Sequence, residues 1–148
     1  MTETAEQRTK RRFIEYLDMT EWEYQYSFFY QCAMDAREFA LVDAAKLKEK
    51  LRRTRSLQSQ PFLYRLCLYK SNAFHTVFTT KKVDQILLKS LVEKVAKVEI
   101  RIMGREITSW KIEKYKRAVS KQRPHDLKGF FGDKKINRIA LLNIKHIK

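Results

Sequence analysis

The sequence predicts an α+β fold: an N-terminal helical hairpin followed by a small, mostly antiparallel sheet with packed helices. Three observations lead there. The chain has 148 residues with only 3 Gly and 2 Pro, too few for a turn-rich sandwich or barrel and far from Gly- or Pro-rich low-complexity sequence. Its hydrophobic content of 44% can fill a core at a length where folding hides roughly two-thirds of the extended chain's surface. The apolar spacing also changes period along the chain, from helical to alternating and back.

Residues 20–42 open with Thr20 and carry Glu23 three positions later, the spacing of a capping box, so a helix is expected from Glu21. Trp22, Tyr24, Tyr26, Phe28, Phe29, Tyr30, Cys32, Met34 and Phe39 point all round that helix, which would need cover on more than one side. After Asp43, the spacing of Ala44, Leu47 and Leu51 predicts a second helix with a narrow apolar stripe. Lys46, Lys48, Lys50, Arg52, Arg53 and Arg55 form its basic exterior. The run SLQSQ before Pro61 breaks the pattern, dividing a single domain over 1–148 into a helical part, 1–56, and a basic α+β part, 61–148.

Phe62 to Tyr69 and Ala73 to Thr79 alternate in polarity about the polar KSN and predict a hairpin. Val83, Leu87, Leu88, Leu91, Val92 and Val95 cover half a helical wheel. Val98, Ile100 and Ile102 then alternate with Glu99, Arg101 and Met103 up to Gly104, as in a half-buried strand. Ile112, Tyr115 and Val119 mark another helix over 108–121, capped by Thr108 or Ser109. KQRPHDLKGFFGD reads as a loop, and 136–147 satisfies helical and strand spacing equally.

Charge is the most informative global property. Lys and Arg number 32 against 17 Asp and Glu, a net +15, and the excess lies in the later part: residues 1–50 sum to −2 and 51–148 to +17. Such a field attracts polyanions. No stretch approaches the ~18 uninterrupted apolar residues of a membrane span, and the opening MTETAEQRTKRR has no apolar segment behind it. A soluble intracellular protein is expected, nuclear in preference to cytoplasmic, with no membrane partner and with Cys32 and Cys67 as buried reduced thiols.

The sequence offers little chemistry. Gly104, Gly129 and Gly132 make no phosphate-cradling pattern. Cys32, Cys67, His75, His125 and His146 contain no close-spaced ligand pair for zinc. Cys67 and His75 could face each other across the hairpin, but a thiol in FLYRLCLY is desolvated and unreactive. Asp84, Glu99 and Glu106 with Arg101 approximate a nuclease carboxylate set without its lysine. No cofactor, metal or catalytic residue is expected.

Binding surfaces remain. On the 108–121 helix, Lys114, Arg117 and Lys121 share a face with Trp110, the combination that pairs phosphates with cations and stacks a base on an indole. The nucleic-acid-binding set is therefore Lys48, Arg52, Arg53, Arg55, Trp110, Lys114, Arg117 and Lys121. Trp22, Tyr26 and Phe29 share a face of the expected first helix, where they would form an interface for a partner or a second copy unless that helix is internal core. The leading expectation is a non-catalytic subunit of an intracellular complex that binds RNA or DNA mainly through phosphates. The alternative is a protein–protein scaffold whose basic face meets an acidic partner.

Overall fold

A computed structural model describes residues 2–31, 36–69, 72–121 and 135–147, with backbone alone at 69, 72, 118–121 and 135–137. Cys32, Met34, His125, the KS of the KSN turn and nearly all of the KQRPHDLKGFFGD loop lie outside the described residues, as does the side chain of Lys121.

Helix α1 (Ala5–Leu17) starts at a capping box in which Thr4 accepts from the Gln7 amide while the Gln7 side chain accepts from the Thr4 amide. It buries Phe13 and Leu17, one turn apart on one face. The next element corrects the sequence expectation. Residues 24–30 form strand β1 (Tyr24–Tyr30), and helix α2 covers Ala36–Arg53, so the N-terminal helical hairpin is interrupted by a strand. The reason is burial on both sides. Tyr26 and Phe28 pack into one apolar cluster, while Phe29, with Trp22 just before the strand, packs into the other. Aromatics pointing in every direction on a helical wheel are, at period two, the two covered faces of a central strand.

A 3-10 turn (Arg55–Leu57) leads into the hairpin β2 (Phe62–Tyr69) and β3 (Asn72–Thr79). Helix α3 (Gln85–Ala96), strand β4 (Ile100–Glu106), helix α4 (Ser109–Lys121) and strand β5 (Lys135–Leu142) complete the order. The terminal run is thus a strand followed by a 3-10 turn at Ile144–His146. The five strands make one sheet in the order β4-β1-β3-β2-β5, with every neighbouring pair antiparallel. Elements β1 to β4 follow a split βαβ arrangement, and β5 extends it beyond β2. The α+β class and the antiparallel sheet therefore stand. Residues 54–61 only carry the chain from α2 to β2, and strands from both sides of them share the sheet.

Both sheet faces are covered. Ala40, Ala44, Leu47 and Leu51 of α2 and Leu88, Leu91 and Val92 of α3 pack with Tyr26, Phe28, Tyr64, Leu66 and Val77. On the other face Phe13 and Leu17 of α1 and Ile112 and Tyr115 of α4 pack with Trp22, Leu63, Cys67, Phe74 and Phe78. Gly104 sits inside β4 rather than ending it. A Cβ there would stand 2.5 Å from the Gln85 side chain and 2.9 Å from the Tyr26 ring, so a larger residue would have to displace the flexible Gln85 side chain and crowd the buried Tyr26.

Beneath α2 the sheet carries a buried polar chain. The Tyr64 hydroxyl lies 2.6 Å from His75 Nδ1, His75 Nε2 lies 2.6 Å from the Tyr30 hydroxyl, and Tyr30 donates to the Asp43 carboxylate at 2.8 Å. With Asp43 as acceptor, the chain is satisfied throughout when Tyr64 donates to Nδ1 and the proton sits on Nε2. Burial pushes the His75 imidazole down to about 3 from its ordinary 6.5 and raises the Asp43 carboxyl.

Two predictions follow from this packing. The Tyr26 hydroxyl accepts from the buried Val83 amide at 2.8 Å, so Tyr26→Phe should cost about 1–3 kcal/mol in a urea melt by stranding that donor. For His75, the unfolded chain takes up a proton below about pH 6.5 that the folded chain refuses until about pH 3. Its contribution is therefore intact above 6.5 and is lost on acidification, at up to about 1.4 kcal/mol per pH unit. Asp43 works in the opposite sense, since the folded form takes its proton first. Urea unfolding at pH 7, 6 and 5 should show falling stability with a shallower fall in His75→Gln; equal slopes would assign the effect to another group.

Candidate nucleic-acid interface

Helix α4 is held to the body by one face. Ile112 and Tyr115 are buried in the sheet-side cluster, and Lys116, one position on, ion-pairs with Asp18 at the end of α1 and with Glu113 at 2.6 Å. Asp18 and Glu113 raise the Lys116 ammonium above the ordinary lysine range. With that face fixed, 100° per residue turns Trp110, Lys114 and Arg117 directly outward. Trp110 is 63% exposed, and the Lys114 ammonium stands 5.3 Å from the centre of its ring. Lys111, Lys114 and Arg117 make no ion pair among the described residues, and Glu113, the helix's one acid, is engaged by Lys116. The result is a cationic surface with an indole in it and no free acid among the described residues of the helix.

The basic group on α2 differs. Arg52 and Arg53 both pair with Glu49, at 2.6 and 3.0 Å, and Arg52 holds that carboxyl below its ordinary range. Lys48 and Arg55 make no ion pair among the described residues, Lys48 half-buried and Arg55 exposed. Because α2 packs on one sheet face and α4 on the other, the structure separates the cations grouped by sequence into two surfaces. Lys121 ends α4, and its side chain lies outside the described residues.

Trp22, Tyr26 and Phe29 are not brought together on one surface. Trp22 is 2% exposed, with its indole N–H donating to the Tyr16 carbonyl at 3.0 Å. Tyr26, also 2% exposed, faces the opposite side of the sheet. Phe29 is half-buried, stacked on Phe74 at 5.2 Å with Arg101 5.1 Å from its ring. Cys67 and His75 likewise take opposite sides: Cys67 pairs with Phe74 and packs under α1 and α4, whereas His75 belongs to the polar chain under α2. Asp84 caps α3 by accepting from the Ile86 amide, and strand alternation turns Glu106 to the face opposite Arg101. Among the described residues, no group of three or more His, Cys, Asp or Glu is placed to hold a metal ion, and no helix is long and apolar enough to cross a membrane.

A pocket of about 570 Å³ opens between the end of α1 and the start of α4, with Trp22 and Ile112 in its lining. Asp18, Glu21, Glu23 and Glu113 surround it against a single Lys116, so its charge repels phosphate. Sequence reasoning set Arg101 and Met103 on the wetter side of a strand but did not count them as candidate binding residues, and it ended the strand before Arg105. The available signal was their alternation with Ile100 and Ile102.

Cys67 is fully buried and should react slowly with a thiol reagent in the native protein and quickly after denaturation; fast native labelling would show that the α1–α4 cover opens readily. No family model matches the chain, and neither a curated protein nor a solved structure gives a significant match.

Proposed function

We propose that the chain is a non-catalytic nucleic-acid-binding subunit of a larger assembly, which holds phosphates with Lys114 and Arg117 and stacks a base on Trp110. The observation that carries this reading is the exposed indole set beneath an ammonium that has no acid partner among the described residues. Exposing an indole costs hydrophobic free energy, and a cation that needed only solvent would not require a ring beside it. A base has an apolar face for the indole and a phosphate for the ammonium. The sheet interior is filled on both faces, which leaves the outer surface for a polymer. Phosphate-dominated contact implies little direct sequence readout.

The test is a salt series with labelled oligonucleotides. Trp110→Ala should cost about 1–3 kcal/mol on single strands with little change in the slope of log K against log salt. Lys114→Ala and Arg117→Ala should each flatten that slope by about 0.7 on single strands, while Lys10→Ala, on α1 and paired with Glu6, should leave it unchanged. Equal small effects at all three cations would reject this function and favour a scaffold that attracts nucleic acid only through net charge.

A further inference from the structure

Strand β4 is an outer strand, paired on one side with β1. The register sets Arg101 opposite Phe29, Met103 opposite Ser27 and Arg105 opposite Gln25. Alternation turns these three side chains toward the sheet face that α4 covers, at about 7 Å intervals, and turns Ile100, Ile102 and Gly104 toward the face under α3. Arg101 and Arg105 are exposed, and Met103 between them is 55% exposed.

Both guanidinium groups are positioned in advance. Arg101 lies 5.1 Å from the Phe29 ring, and the Arg105 Nε–H donates to the buried Gln25 side chain at 3.0 Å. An exposed, polarisable thioether flanked by two fixed cations supplies an apolar contact and two phosphate contacts in one row. Only Ile107 and Thr108 separate β4 from α4. Tyr115, on the inward face of α4, is near enough to Arg105 for the two to interact electrostatically. The row on β4 therefore adjoins the helix that carries Trp110 and Lys114.

Resting on the α4 reading, we infer that the bound polymer is single-stranded and passes from α4 over the β4 edge, with Met103 against a base and Arg101 and Arg105 on the flanking phosphates. Two exposed apolar groups, Trp110 and Met103, need base faces to meet them. A duplex stacks those faces inside and offers chiefly phosphates and groove edges, whereas a single strand presents them.

The deciding experiment is fluorescence anisotropy with three probes, a dT20 strand, an rU20 strand and a 20-base-pair duplex, for wild type, Arg101→Gln, Arg101→Lys, Met103→Ser, Trp110→Ala and Lys114→Ala. Arg101→Gln should weaken binding to a single strand and flatten its salt slope by about 0.7, with the slope restored in Arg101→Lys. Met103→Ser should weaken the single strand several-fold at unchanged slope and leave duplex binding alone. Wild-type binding by the Arg101 and Met103 variants, with clear loss in Trp110→Ala and Lys114→Ala, would remove β4 from the path and leave the α4 reading standing. Duplex bound as tightly as single strand, with Trp110→Ala and Met103→Ser both silent, would overturn the single-strand assignment. Wild-type binding in every variant would overturn both readings.

Discussion

Strand β1 is hydrogen-bonded along both edges, to β3 and β4, and covered on both faces. A strand in that position has to pair every polar group it buries, and YQYSFFY carries no charged residue and pairs its buried polar groups. Ser27 bonds the Thr76 hydroxyl at 3.2 Å, Gln25 accepts from Arg105, and the Tyr26 hydroxyl accepts from the Val83 amide. The remaining placements follow from covering this strand. Helices α2 and α3 supply one layer, α1 and α4 the other, and each helix presents a single apolar face inward.

Among the described residues, that arrangement leaves most charged side chains on the surface. Among the described residues Asp43 and Arg65 are buried; the Arg65 guanidinium lies 5.5 Å from the Phe13 and Phe78 rings and 5.9 Å from Phe74, and burial lowers its pKa. Ring faces supply part of what water would otherwise give. Elsewhere the cations divide by helix. Those at the end of α2 are partly neutralised by Glu49, whereas those on the outer face of α4 have no such partner among the described residues. Total charge is thus a poor guide to where a polyanion would bind, and local pairing is a better one.

Helices α3 and α4 and strand β4 were legible in the sequence because each has one wet and one dry side, so polarity alternates at the period of the element, and the β2–β3 hairpin, buried on both faces, was legible from the polar KSN between two apolar runs. Strand β1 was not, because burial on both faces erases that alternation, and Thr20 with Glu23 then imitated a helix start. Helix α1 left only Phe13, Ile14 and Leu17 as a signal among polar residues. Strand β5 satisfied both periods. The outward face of α4 was legible because Ile112 and Tyr115 fix the wheel on their own. Sequence could not show that α2 and α4 lie on opposite sides of the sheet, nor that Trp22 and Tyr26 are interior, since both depend on where β1 enters the sheet.

The central claim is that β1 is an interior strand on which the sheet and both helical layers depend, and native-state amide hydrogen exchange tests it most directly. Amides of Tyr26 to Phe29 should exchange only through global unfolding, with the same denaturant dependence as those of Phe74 to Phe78 in β3. Exchange at 26–29 through a low-energy local opening, while β3 stays protected, would contradict the account.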